Sequence, residues 1–99
     1  MQNLLTHTER ASEMLKLVSH PHRLMILCLL AQNERSVNEL VGQIGINQTA
    51  VSNHLARLRS EGAVDFTRHH RVLQYRITSN EIKTLLCALD TLYAETRNI

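Results

Sequence analysis

Aromatic side chains are nearly missing from this sequence: one Phe, two Tyr and no Trp among 99 residues. That excludes a core stacked with rings, and it excludes an aromatic platform on which single-stranded nucleic acid could stack. One Pro and three Gly leave no flexible linker or low-complexity segment. Two cysteines, Cys28 and Cys87, are too few for a secreted disulfide scaffold, so any role they have is as thiols. No run is apolar enough to span a bilayer, and the amino terminus lacks a charged-then-apolar signal pattern. A cytoplasmic protein with no membrane partner is therefore expected. Neither sign of charge dominates, because 11 Lys and Arg against 9 Asp and Glu leave only +2.

What is present is an aliphatic chain, 43% hydrophobic, of a length that fits one domain spanning residues 1–99. The small positive excess is unevenly spread. Between Val51 and Asn80 stand Arg57, Arg59, Arg68, Arg71 and Arg76, with His54, His69 and His70, opposed only by Glu61 and Asp65. Positive potential concentrated in one stretch is what phosphate binding requires.

Three stretches fit a capping box, in which a hydroxyl and a Glu three residues later satisfy orphan amides reciprocally: Thr6 to Glu9, Ser36 to Glu39 and Thr78 to Glu81. A first helix is expected from about Glu9 to Val18, burying Ala11, Met14, Leu15 and Val18. Ser19-His20-Pro21 breaks it, and Pro21 opens a second helix to about Ala31 that is apolar almost all round and belongs in the core. After a polar turn at residues 32–35, a third helix runs from about Ser36 to Gln43, ended by Gly45. Asn47 caps a fourth from about Gln48 to Ser60, which Gly62 stops. Residues 63–68 and 72–77 read as strands joined by a short turn at His69-His70, and a last helix spans about 80–96.

The order helix, helix, helix, helix, strand, strand, helix is mainly α with a small β-hairpin. Two short helices about a Gly-containing turn, followed by a basic hairpin, describe a winged helix-turn-helix. On the fourth helix Val51, Leu55 and Leu58 anchor to the core, while Gln48, Thr49, Ser52, Asn53 and Arg57 project elsewhere. Gln and Asn can pair bidentately with adenine, Arg with guanine, and a Thr methyl can touch thymine. His54 lies between the two faces, placed to touch a phosphate. Arg68, His69, His70 and Arg71 gather at the hairpin tip, where they suit a minor groove or flanking phosphates. The adjacent histidines have no carboxylate or cysteine beside them in sequence, so no metal is expected there.

Three segments together, His20-Pro21-His22-Arg23-Leu24-Met25-Ile26-Leu27, Ser36-Val37-Asn38-Glu39-Leu40 and Gln48 through Arg59, with Tyr75 in the second strand, resemble the ArsR/SmtB family of bacterial repressors. The resemblance covers nearly the whole chain. It implies a homodimer built by the first and last helices, with the fourth helix and wing on double-stranded DNA carrying a palindromic operator. Metal-sensing relatives use a Cys-x-Cys pair on the third helix, or Asp and His ligands on the last. Here the third helix has no Cys, and the last offers Asp90 and Glu95 without His.

The HlyU/BigR-like branch of redox and reactive-sulfur sensors is similar to this chain more fully. It carries a Cys where Cys28 stands, and a second Cys on the last helix where this chain has Ala94. Cys87 lies seven residues earlier on the same face, roughly 10 Å along the axis. It therefore pairs with Cys28 in a shifted geometry, meets its symmetry mate, or packs as a small hydrophobe.

The resulting expectation is a homodimeric DNA-binding regulator, a repressor, switched by oxidation or persulfidation at Cys28 and Cys87. The alternatives are a DNA-binding regulator without a thiol sensor or with a metal effector, and a protein-binding dimerisation adaptor. No Ser-His-Asp or Cys-His grouping and no Gly-rich phosphate loop is recognisable, so neither enzymatic activity nor a cofactor is expected.

Overall fold

The computed structural model describes residues 1–97, with side chains described as far as Ala94; Glu95 as a side chain lies outside that range. Among the described residues six helices and three strands follow one another: α1 (Gln2–Thr6), α2 (Thr8–Val18), α3 (Pro21–Gln32), β1 (Arg35–Ser36), α4 (Val37–Ile44), α5 (Gln48–Ser60), β2 (Val64–His69), β3 (Val72–Ile77) and α6 (Asn80–Arg97). No single described helix is long and apolar enough to cross a membrane.

The expected helix boundaries hold from Pro21 onward because each carries its cap. The His20 ring accepts the amide of His22, and Pro21 at the first position loses no hydrogen bond by lacking an N–H. Ser36 and Glu39 form the reciprocal capping box, with Ser36 Oγ accepting from the Glu39 amide at 3.2 Å and Glu39 Oε1 accepting from the Ser36 amide at 3.0 Å. Gly45 closes α4 at φ 85°, a left-handed conformation open to glycine without a Cβ penalty. The other two expected boxes do not form. Thr6 instead bonds its own helix at Gln2 O, inside the additional α1, and α2 starts without a side-chain cap. Ser79, not Thr78, accepts the Ile82 amide of α6, while Thr78 donates to Gly62 O and Glu81 pairs with Arg10 of α2.

The polar turn at residues 32–35 contains β1, whose Arg35 and Ser36 pair with Tyr75 and Gln74 of β3. The hairpin thus becomes a three-stranded antiparallel sheet in the order β1-β3-β2. Arg35 is buried yet satisfied: Nε donates to Leu29 O at 3.1 Å and a guanidinium nitrogen to Gln32 Oε1 at 2.7 Å. Its charge sits at the C-terminal end of α3, where a cation is favoured.

The core gathers Ile26, Leu27 and Leu30 of α3, Leu40 of α4, Val51, Leu55 and Leu58 of α5, Val64 and Ile77 of the sheet, and Ile82 and Leu86 of α6. Two burial expectations are corrected. On α2 the buried pair is Leu17 and Val18, with Leu15 51% exposed. On α3, Met25 and Cys28 reach the surface.

Candidate nucleic-acid interface

Helix α5 owes its position to two devices. Asn47 Oδ1 accepts the Ala50 amide at 2.8 Å and starts the helix directly after the Gly45 turn. Val51, Leu55 and Leu58, all fully buried, press it against the core. At 100° per residue Thr49, Asn53 and Arg57 lie opposite that stripe, with Ser52 and the first-turn Gln48 on its flank, and all five are exposed.

The carboxyl end of α5 is tied to the sheet. Arg59 Nε donates to Asp65 Oδ1 at 2.9 Å, and its guanidinium lies 4.4 Å from the centre of the Phe66 ring. Phe66 faces Tyr75 across the β2–β3 pairing, ring centres 5.4 Å apart. The Phe66 amide and Arg59 both bond Asp65 and hold its carboxyl below the usual range. Sequence inspection grouped Arg59 with the general positive charge. Its opposite-charge partner six residues on, across the Gly62 turn, was the available signal for this bracing role.

The hairpin turn sits one residue later than expected. His69 pairs with Val72, so His70 and Arg71 make the two-residue loop. His70 takes φ 58°, the left-handed conformation that His tolerates better than most side chains. Arg68, His69, His70 and Arg71 are all exposed at this tip. Among the described residues, Arg57, Arg68 and Arg71 have no hydrogen bond or ion pair from their side chains. Arg76, by contrast, donates to Thr67.

His54 does not share the outward arc. It is half-buried at the edge beside Leu58, its ring centre 4.5 Å from that of His20 and 6.0 Å from that of His22. Burial, then the nearby His20, Arg23 and His22, push its imidazole below its ordinary pKa. Sequence inspection missed this grouping, because only the His20-x-His22 half of it is local.

The cysteines lie away from α5. Cys28 on α3 and Cys87 on α6 are both exposed and line one cavity of about 670 Å³, together with Leu86, Asp90, Lys83 and Arg76. Burial, with the carboxylate of Asp90 adding to it, pushes the Cys28 thiol up.

Residues 20–65, from the histidine before α3 to the start of β2, match the pattern of the bacterial regulatory proteins of the arsR family. The transcriptional activator HlyU of Vibrio cholerae is 35% identical over 95 residues, spanning 96% of this chain and 88% of that protein. The chain belongs to the arsR family. Its members in hand are regulators of transcription. The biofilm growth-associated repressor of Xylella fastidiosa is 42% identical over 88 residues, 86% of this chain and 77% of that one. Reduced HlyU from Vibrio cholerae superposes with a TM-score of 0.85 at 35% identity, covering 94% of this chain and 98% of that one. The homodimeric winged helix-turn-helix DNA-binding domain Mb0332 of Mycobacterium bovis superposes at 0.74 with 32% identity, covering 96% and 85%. In this arsR-family chain α4 and α5 are thus the helix-turn-helix, and β2–β3 the wing. One relative is named an activator and another a repressor, so membership alone does not set the sign of regulation.

Proposed function

We propose that this chain, a single domain acting in the cytoplasm, is a homodimeric repressor. It reads a palindromic operator through α5 and the wing, and it lets go when its thiols are oxidised or persulfidated. The observation that carries the DNA-binding part is the outward arc of α5: five exposed amide, hydroxyl and guanidinium side chains on a helix whose other face is fully buried. Gln48 and Asn53 suit adenine edges, Arg57 a guanine or a phosphate, Thr49 a thymine methyl and Ser52 a phosphate oxygen. Arg68 and Arg71, with His69 and His70, lie against phosphates or a minor groove. His54, turned inward, adds at most a phosphate contact from the edge of the arc.

The dimer is supported by exposed large apolar side chains on α1, α2, α3 and α6, namely Leu4, Leu5, Leu15, Met25, Leu92 and Tyr93, and by the homodimeric state of the Mycobacterium bovis relative. Two copies of α5 then meet successive major grooves about 34 Å apart.

For the switch, the shared cavity of Cys28 and Cys87 supports pairing of these two thiols, with Cys87 standing in for the position held by Ala94. One thiolate attacks a polysulfide sulfur, leaving a persulfide and a shortened polysulfide. The second thiolate then displaces hydrosulfide, so two thiols lose two electrons to the polysulfide and end as a disulfide. Such a bond draws α3 toward α6 and changes the spacing of the two reading helices. The raised Cys28 thiol favours a second reading, a DNA-binding regulator that is not thiol-switched.

Fluorescence anisotropy on the DNA upstream of its own gene separates the two. Tight binding in reductant and loss after polysulfide, abolished in Cys28→Ser and in Cys87→Ser, is expected for the switch. Equal binding in both states leaves a regulator without it, and weak binding that ignores salt removes the DNA reading altogether.

A further inference from the structure

Three imidazoles from two separate elements converge on one spot. His20 and His22 flank Pro21 at the first turn of α3, and His54 comes from the middle of α5. One ring nitrogen of each lies within 4.8 Å of the other two, and all three side chains are half-buried, so the spot is held in place yet open to solvent. Among the described residues no other three His, Cys, Asp or Glu side chains approach in this way. We propose that His20, His22 and His54 form a binding site for a divalent transition-metal ion of the zinc class, joining the first turn of α3 to the reading helix.

The donor set selects the ion. Three neutral nitrogens with no carboxylate suit Zn(II), Co(II), Ni(II) or Cu(II), whereas Ca(II) and Mg(II) demand oxygen ligands. Three protein ligands leave a fourth, water-filled position on a tetrahedral ion. Zn–N bonds of about 2.0–2.1 Å place tetrahedral ligand atoms about 3.3 Å apart. The rings must therefore close by at most roughly 1.5 Å, which half-exposed side chains reach by small χ rotations.

A neighbouring cation, Arg23, is already engaged. Arg23 donates from Nε to Leu17 O at 2.6 Å and from a terminal nitrogen to Lys16 O at 3.3 Å, which fixes it on the carboxyl end of α2.

Binding has a local consequence. At present His20 Nδ1 accepts the His22 amide at 3.1 Å, a tautomer whose Nε2 carries the hydrogen. An ion takes either Nδ1 in place of that amide, or Nε2 after the hydrogen has moved to Nδ1. In both cases the α3 cap exchanges its hydrogen bond for a coordinate bond. None of the three histidines occupies the third-helix or last-helix positions expected of metal-sensing relatives.

The test uses the full, reduced chain titrated with Zn(II) by calorimetry and with Co(II) by absorption. The expected result is one ion per chain, a Co(II) spectrum without the near-ultraviolet charge-transfer band that a thiolate adds, and a rise in Tm with Zn(II). His22→Gln and His54→Gln should each weaken binding about tenfold or more and lose the rise in Tm. The Cys28→Ser/Cys87→Ser and His69→Gln/His70→Gln proteins should bind like the parent. The His22→Gln protein decides the matter if His54→Gln does not fold. No binding at micromolar Zn(II), or a loss that follows the cysteine or hairpin variants instead, overturns the site.

Discussion

Two surfaces of this molecule are finished in opposite ways. On α5 and the wing tip the exposed side chains are mostly amides, hydroxyls, imidazoles and cations, with Ala56 and Val72 the apolar exceptions, and Arg57, Arg68 and Arg71 have no partner among the described residues. On α1, α2, α3 and α6 large apolar side chains stand exposed among the charged ones, with Leu15 at 51% and Tyr93 at 64%. Between them the arginines behave differently again. Arg23, Arg35 and Arg59 are each committed to backbone carbonyls, an amide or a carboxylate that fix one element against the next. The contrast teaches how to sort charges in a small regulator. A cation already bonded inside the fold braces it, whereas one without an internal partner is available to a polyanion. An apolar surface signals a protein partner instead.

The largest effect should come from putting charge on the apolar surface. Leu15→Glu combined with Tyr93→Glu should shift a dimer to monomer, weakening association on the order of a hundredfold or more, since burying unpaired carboxylates is costly. Sedimentation equilibrium reads this directly, and an unchanged dimer would put the interface elsewhere. Next in size is the outward arc of α5. Gln48→Ala and Asn53→Ala should each lose about 1–3 kcal/mol on the operator while leaving random DNA almost untouched. Equal losses on both DNAs would remove the arc from base reading.

Arg71→Ala should be smaller and of another kind. It should weaken all sequences alike and reduce the slope of log K against log salt by about 1. A sequence-selective loss at this position would contradict its assignment to phosphate.

The smallest effect tests a braced charge. Asp65 has its carboxyl pKa lowered by the Phe66 amide and by Arg59, so its contribution to stability is present above the unfolded value of about 3.9 and fades as pH falls through the lower folded value. Acid unfolding of Asp65→Asn should therefore be shallower than that of the parent below about pH 4. Identical curves would mean that the Arg59 brace contributes nothing to folding. The group is surface-exposed, and a modest change is expected.

How far the sequence could be read depended on whether the deciding interaction was local. Ser36 with Glu39, Asn47 with Ala50, and Gly45 at φ 85° act within four residues, so α4, the turn and α5 were legible nearly to the residue. The two-residue strand β1 was not, since Arg35 and Ser36 become a strand only when Tyr75 and Gln74 lie beside them. The third box failed for a related reason, because Glu81 has a partner in Arg10, 71 residues away.

By itself, then, the sequence determined the helical periods, their caps, the outward arc of α5 and the family, all of which follow from side chains a few residues apart. Tertiary structure alone decided the rest. It turned His54 inward to His20 and His22, closed the wing into a three-stranded sheet, and brought Cys28 and Cys87 to one cavity. The physical reason is distance along the chain. A ring contact between residues 32 or 34 positions apart, or a cavity shared by residues 59 apart, leaves no pattern in a local window, and exists only once the hydrophobic core has fixed which helices are neighbours.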